Sequence, residues 1–87
     1  MTTFEKLADL LHRDFAIPRD ALVPAATLES LEIDSLRMIE IFFSVEEALG
    51  ISVPDDAAQA MKASVKTLGD LADRLDALAV GDGGGAR

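Results

Sequence analysis

The chain has 87 residues and a formal net charge of −8, from 16 acidic and 8 basic side chains. A chain of this length forms one small domain, and its acidity disfavours binding to nucleic acid or to anionic membranes. It contains no cysteine, which excludes disulfide bonds and a thiol nucleophile. No apolar run is long enough to cross a bilayer and no secretory signal is recognisable, so we expect a cytoplasmic protein.

The composition and the apolar spacing predict an all-helical domain. The first helix begins near Thr2, which has capping-box spacing with Glu5. Pro18 ends it, because proline disfavours helical geometry in the preceding residue. Its apolar stripe follows the i, i+3, i+4 rule and contains Phe4, Leu7, Ala8, Leu11 and Phe15.

A long connection covers residues 16 to 34. Loops of this length are usually functional or disordered. This one is predicted to pack on the core, with a helical turn near residues 19 to 22, because apolar residues are spread along it. They are Ile17, Leu22, Val23, Leu28, Leu31 and Ile33.

The main helix is predicted over residues 35 to 49, and Gly50 ends it in the left-handed conformation. On a helical wheel of about 100° per residue, the arc that faces the core contains Met38, Phe42, Val45 and Leu49, with Ile41 at its border. A second apolar arc contains Leu36, Ile39 and Phe43 and is bordered by Glu40, Glu46 and Glu47. Such an arc packs under the long loop or faces a partner, and its acidic border favours a partner. Arg37 lies on the polar side.

Two more helices complete the predicted domain. A short helix over residues 57 to 61 is capped by Asp55 or Asp56. The last helix begins at Thr67, which has capping spacing with Asp70. Its buried stripe contains Leu68, Leu71, Ala72, Leu75 and Leu78. Residues 81 to 87 are glycine-rich and are predicted to form a disordered tail, which leaves residues 1 to 80 as the folded domain.

Ser35 opens the main predicted helix directly after Asp34. A phosphate on its hydroxyl would be stabilised by the free N–H groups and the positive end of the helix dipole, although capping a helix is the common role of both residue types. Residues 29 to 56 contain eight acids and one base, a net charge of −7, so nearly all the excess charge surrounds this serine. Such a field attracts basic partner surfaces, but a solvated acidic face would have the same composition.

The order of these segments resembles that of the acyl carrier proteins. The resemblance covers residues 3 to 79 and rests on Asp34-Ser35-Leu36 and on the segments 46–51, 53–55 and 67–71 at the spacing of that family. It implies an acyl-carrier-like four-helix bundle with three longer helices, one short helix and a long first loop. It also implies that Ser35 carries a covalent 4′-phosphopantetheine arm from coenzyme A, with Asp34 and Leu36 beside it.

The function that the resemblance implies is that of a carrier and not of an enzyme. The thiol of the arm would carry acyl groups as thioesters between enzymes of fatty acid, lipid or polyketide-type biosynthesis. The implied partners are a phosphopantetheinyl transferase and acyl synthases, ligases or transferases with basic docking surfaces. The residues expected to contact them are Leu36, Arg37, Ile39, Glu40, Phe43, Glu46 and Glu47. We expect a monomer with no metal site and with no nucleic-acid or membrane partner.

Two positions depart from the pattern of fatty-acid carriers. An acidic residue usually follows the Ser-Leu pair, where this chain has Arg37. Glycine usually precedes the residue ahead of the aspartate, where this chain has Glu32 followed by Ile33. These departures leave open a carrier of aminoacyl or other specialised cargo, but neither of them touches the attachment chemistry. A separate alternative is an unmodified interaction module of the same fold, which would use the acidic helix only to bind partners.

A small hydrolase built on Ser35 and His12 is a further alternative, with Asp9 or Asp14 to orient the histidine. It is disfavoured because the local motifs of hydrolases are missing. A single histidine without cysteine also cannot form a metal site.

Overall fold

A computed structural model describes the backbone of residues 2 to 85 and the side chains of residues 2 to 79. It contains four helices, which are α1 (Thr3–Phe15), α2 (Ser35–Leu49), α3 (Asp55–Ser64) and α4 (Leu68–Gly85), and a 3₁₀ turn at Arg19–Ala21. No strand occurs within the described backbone. The predicted all-α bundle with a long first loop is therefore confirmed.

α1 begins at the predicted capping box. The Thr2 hydroxyl accepts a hydrogen bond from the Glu5 backbone N–H at 3.1 Å, and the Glu5 carboxylate accepts one from the Thr2 backbone N–H at 2.9 Å. The second bond lowers the pKa of Glu5, because it stabilises the charged carboxylate. The helix ends at Ala16, which adopts a left-handed conformation with φ 57°, two residues before Pro18.

The core lies where α1 packs on α2 and α4, while α3 packs on α2. It is entirely apolar among the residues whose side chains are described. The predicted core arc of α2 is confirmed for Met38, Phe42 and Val45, whereas Leu49 is only half-buried. Ile41, which the wheel placed at the border of that arc, is completely buried. The largest fully buried side chains are Leu7, Leu10, Leu11, Ile41, Val45, Leu68, Leu71 and Leu75.

Backbone hydrogen bonds tie the long connection to the start of α4. Thr27 and Thr67 form an isolated antiparallel bridge, and two bonds of 2.9 Å join residues 26–28 to residues 66–68. The prediction that this loop packs on the core is confirmed, because three of its apolar side chains are buried: Leu22, Leu28 and Ile33.

Two glycines occupy positions that disfavour a larger residue, one because of its backbone conformation and the other because of a close neighbour. Gly50 ends α2 with φ 67°, as predicted, and its N–H donates to the Glu46 carbonyl. The Gly69 N–H donates to the Pro24 carbonyl at 2.9 Å. A Cβ at position 69 would lie 3.1 Å from that oxygen, so the loop would have to move by a few tenths of an ångström to admit a larger residue.

The prediction for α3 is wrong in its bounds and its cap. The helix has 10 residues, Asp55–Ser64, and Pro54 precedes it without a side-chain cap. Asp55 and Asp56 lie in the first turn, where negative charge is favourable, and do not cap it. The helix continues past Met61 because the next residues include no glycine or proline to end it.

α4 begins at the predicted Thr67–Asp70 pair, whose side chains and backbone amides exchange bonds of 3.1 and 3.3 Å. The helix then continues to Gly85, so the backbone of residues 81 to 85 differs from the predicted disordered tail. No proline interrupts it, and intrinsic propensity is only a weak guide to where a helix ends. Residues 86 and 87 lie outside the described residues, and the domain boundary at residue 80 stays a prediction.

Candidate functional site

Ser35 is the first residue of α2, and its side chain is exposed. Within residues 2 to 79 its hydroxyl has no hydrogen-bond partner. The first N–H groups of a helix lack intrahelical acceptors and carry the positive end of the helix dipole. The hydroxyl is therefore open to an incoming group, and a phosphate attached to it would lie where the helix favours an anion.

Asp34 is the N-cap of α2. Its carboxylate accepts a hydrogen bond from the Arg37 backbone N–H at 2.8 Å, and its backbone carbonyl accepts one from Met38 at 2.9 Å. The carboxylate satisfies one of the unpaired amides of the first turn. Asp34 thus stabilises the first turn of α2, which begins at Ser35.

The second apolar arc of α2 faces solvent. Leu36 and Phe43 expose 68% and 66% of their surface, and Ile39 exposes 38%. We call these three residues the apolar patch. The cavity beside Ile39 and Phe43 is lined by residues of α2, of α3 and of the segment between them, and by none from the long loop. The patch therefore does not pack under that loop, and an exposed group of large apolar side chains is typical of a contact surface.

Two small cavities lie on either side of α3. One, of about 170 Å³, opens beside the apolar patch, with Phe42, Val53 and Ala58 in its walls. The other, of about 190 Å³, lies between α3 and α4 against Met61 and Leu78. Both have mainly apolar walls, so the space around α3 suits an apolar ligand.

The three acidic residues that border the patch differ in their surroundings. The Glu40 carboxylate lies 3.5 Å from the Arg37 guanidinium. The Glu46 carboxylate accepts a hydrogen bond of 2.9 Å from the Val53 backbone N–H, so it holds the connection between α2 and α3. Glu47 is exposed and forms no ion pair with any described residue. Of the three, Glu47 is the acid most available to a partner.

Arg37 is held by contacts within the protein, which the sequence did not indicate. Its guanidinium lies 5.6 Å from the centroid of the Phe15 ring, a distance that allows a cation–π interaction, and it also pairs with Glu40. Phe15 comes from the end of α1, so Arg37 joins the first turn of α2 to α1. The apolar spacing had placed Phe15 in the core stripe, but it is only half-buried.

Glu32 adopts the left-handed conformation, with φ 60°. Glycine takes this conformation without strain, which explains why carriers of this pattern usually have glycine there. The sequence showed that this position departs from the family pattern. It did not show the left-handed backbone conformation, which is less favourable for glutamate than for glycine. Glu32 and Arg37, the two departures from the family pattern, line the same cavity of about 180 Å³ beside the start of α2.

The contacts that a hydrolase built on Ser35 and His12 would need are not formed among the described side chains. The His12 ring nitrogen Nδ1 lies 2.9 Å from the Ile17 carbonyl oxygen, and no hydrogen bond joins His12 to Ser35 among the described side chains. The two acids that could have oriented the histidine are paired instead with arginines, Asp9 with Arg19 and Asp14 with Arg13.

The part of the chain that the structure describes contains neither a group of metal ligands nor a membrane-spanning helix. Its His, Asp and Glu side chains form no group that could hold a metal ion. None of its helices combines the length and the apolar character needed to cross a membrane.

Comparison with known proteins agrees with this geometry. Residues 5 to 75 match a protein family described as "Phosphopantetheine attachment site". The chain is 39% identical over 54 residues to "Acyl carrier protein AcpXL" of Brucella melitensis, which covers 61% of this chain and 58% of the relative. It is 32% identical over 70 residues to "Acyl carrier protein" of Acidothermus cellulolyticus, or 79% of each chain. It is 36% identical over 77 residues to "Acyl carrier protein 2, chloroplastic" of Hordeum vulgare, or 87% of this chain and 57% of the relative.

The matches cover different shares of the relatives' lengths. The chain spans little more than half the length of the Brucella and Hordeum relatives, but four-fifths of the Acidothermus one. The family match includes Ser35 and the whole of α2. Because that match covers most of the chain and the Acidothermus relative is aligned over more than two thirds of its length, this protein belongs to the phosphopantetheine-binding family of acyl carrier proteins.

Proposed function

We propose that this protein is an acyl carrier in which the Ser35 hydroxyl holds a 4′-phosphopantetheine arm through a phosphodiester bond. The observation that carries the proposal is the position of Ser35 at the first residue of α2, exposed and without a hydrogen-bond partner among the described side chains. The residues present fit the group, because the hydroxyl is accessible and the phosphate would lie at a helix N-terminus. The match of residues 5 to 75 to the phosphopantetheine family supports the same assignment.

The contribution of this chain to the modification is positional. Asp34 caps the first turn of α2 and so holds Ser35 at the surface. During modification the Ser35 oxygen forms a bond to the β-phosphorus of coenzyme A. The pyrophosphate bond breaks, adenosine 3′,5′-bisphosphate leaves, and the hydroxyl proton passes to a base on the transferase. We assign no catalytic residue to this chain, which acts as a carrier.

The bound arm supplies the thiol that this cysteine-free chain lacks, and that thiol holds acyl groups as thioesters. The two cavities beside α3 support an acyl cargo, because their walls are mainly apolar. Their volumes of about 170 and 190 Å³ suit part of an aliphatic chain. The relatives are named acyl carrier proteins, and we propose fatty acid, lipid or polyketide-type intermediates as the cargo of this one.

The proposed partners are a phosphopantetheinyl transferase and acyl synthases, ligases or transferases with basic surfaces. The apolar patch provides the contact area, and the net charge of −7 over residues 29 to 56 orients the approach. Surface charges of this kind raise the association rate more than the affinity, which suits a carrier that must leave after each visit. We further propose that the protein is a monomer and works in the cytoplasm.

A mass measurement tests the proposal. Incubation of the intact protein with coenzyme A, magnesium and a broad-specificity phosphopantetheinyl transferase is expected to add one phosphopantetheine unit. Fragmentation of the modified protein should locate the added mass on Ser35. A protein that gains no mass, or gains it at another residue, would contradict the assignment.

Reversing the charge at Glu47 is expected to slow docking. Glu47 is exposed and forms no internal ion pair among the described residues, so Glu47→Lys should leave the stability almost unchanged. The association rate with an acyl synthase should fall by about three- to ten-fold at low salt, with a smaller difference at high salt. Stopped-flow fluorescence measures this rate.

The control for this experiment is Asp73→Lys, which makes the same charge change on an exposed position of α4. Equal association rates for the wild type and Glu47→Lys at every salt concentration would show that Glu47 is only solvated.

A further inference from the structure

Arg37 is the only basic residue in the acidic segment that surrounds Ser35. Residues 29 to 56 contain eight acids and this one base. It is the third residue of α2, and a positive charge in the first turn of a helix is mildly unfavourable because it opposes the helix dipole. The dipole of α2 therefore gives no reason for a cation at this position.

The guanidinium of Arg37 has a fixed place but spare hydrogen-bonding capacity. It lies over the Phe15 ring and 3.5 Å from the Glu40 carboxylate, and these two contacts restrict a long side chain that would otherwise be mobile. Half of the side chain is nevertheless exposed, and one ion pair uses only part of the five N–H donors of a guanidinium. An exposed ion pair is also weak, so Glu40 leaves Arg37 able to bind an acid from outside the protein.

Arg37 lies at the edge of the exposed face of α2. On a helical wheel, Leu36 of the apolar patch lies between Ser35 and Arg37, about 100° from each. The Cα atoms of Ser35 and Arg37 are at most about 7 Å apart, whereas a typical interface of about 800 Å² on each partner corresponds to a disc of about 16 Å radius. An enzyme that rests on the apolar patch and reacts with the Ser35 hydroxyl therefore has Arg37 at the rim of its contact surface.

We propose that Arg37 is a specificity-determining residue for the transfer of the arm to Ser35, and that it pairs with an acidic side chain of the phosphopantetheinyl transferase. The proposal rests on the function proposed above. An enzyme surface that is basic throughout meets Arg37 with like charge, and such contacts suppress the wrong partners. An enzyme whose basic surface has an acid opposite Arg37 is favoured. Arg37 itself does not contact the reacting atoms.

Charge reversal at Arg37 tests the sign of this contact. Arg37→Glu makes the surroundings of Ser35 more acidic, so the general field alone would speed the approach of a basic enzyme. With coenzyme A, magnesium and the phosphopantetheinyl transferase of the same organism, the proposal instead predicts that kcat/KM for arm transfer falls by about three- to ten-fold at low salt. The loss should lie in KM and not in kcat, and it should shrink as the salt concentration rises.

Three further variants separate the charge of Arg37 from its structural contacts. Arg37→Lys keeps the charge and should retain most of the kcat/KM that Arg37→Glu loses. Arg37→Gln removes the charge without adding a negative one and should fall between the wild type and Arg37→Glu. The control is Lys6→Glu, which makes the same charge change at an exposed residue of α1, about 14 Å along the helix from Phe15. It should not slow the reaction.

The direction and the salt dependence of these rates decide the inference. It is overturned if Arg37→Glu or Arg37→Gln transfers the arm as fast as the wild type, or faster, at low salt. It is also overturned if a slower reaction does not depend on the salt concentration, because that result would indicate a structural role alone. A wild type that never gains the arm would instead overturn the proposed function.

Discussion

Ser35→Ala is expected to abolish phosphopantetheine attachment completely while leaving the fold intact. In the proposed modification the hydroxyl oxygen forms the new bond to phosphorus, and alanine has no replacement for it. The substitution breaks no hydrogen bond among the described residues, and Asp34 remains as the N-cap of α2. The free energy of unfolding should therefore change by about 0.5 kcal/mol or less. Intact mass and urea unfolding measure the two effects.

A matched control is available on the same helix. Ser44 is half-buried on α2, so Ser44→Ala changes the same chemical group without touching the site. It should accept one arm as the wild type does. If Ser35→Ala still gained the arm, the attachment site would lie elsewhere, and a Ser35→Ala protein that failed to fold would contradict the conclusion that the Ser35 hydroxyl has no structural role.

The second large effect is expected from Ile41→Ala. Ile41 is completely buried on α2, and truncation of such a side chain usually costs about 2–5 kcal/mol through lost burial and the cavity left behind. A domain of this length has a free energy of unfolding of about 4–13 kcal/mol in total. The melting temperature should therefore fall by more than about 10 °C. Circular dichroism during heating and urea unfolding would measure the change.

Ile39→Ala is the control, because it removes the same atoms from the same helix at a residue that is 38% exposed. We expect it to cost about 1 kcal/mol or less. It should instead slow association with an acyl synthase, since Ile39 belongs to the apolar patch. Equal stability losses for the two variants would contradict the division of α2 into a core arc and an exposed arc.

The features that the sequence predicted correctly depend on contacts between near neighbours. The capping pairs Thr2–Glu5 and Thr67–Asp70 each involve residues three apart, and Gly50 ends α2 through its own backbone conformation. The placement of Ser35 at a helix start follows from the same kind of local rule. Its proposed role as attachment site came from the family resemblance, because a serine at a helix start has no chemical mark of its own.

The features that the sequence missed depend on residues distant in the chain or on backbone geometry. Arg37 meets Phe15 only because α1 ends beside the start of α2, and no spacing rule relates residues 22 positions apart. The Glu46 carboxylate accepts a hydrogen bond from the Val53 backbone N–H, a contact between α2 and the connection from α2 to α3 that the helical wheel did not indicate. The φ of Glu32 was hidden because glutamate rarely adopts the left-handed conformation.

The bridge between Thr27 and Thr67 has a consequence for the order of events during synthesis. It closes a ring of about 40 residues, and the entropy lost on such closure makes nonlocal pairing slower than helix formation. Further backbone hydrogen bonds connect this bridge to the segment that precedes Ser35. The Leu28 N–H donates to the Lys66 carbonyl, and the Ile33 N–H donates to the Leu28 carbonyl. The loop that leads into Ser35 therefore reaches its native position only after residue 69 has been made. The nascent chain thus presents Ser35 late, and in the function proposed above its modification in the folded form would follow translation of most of the domain.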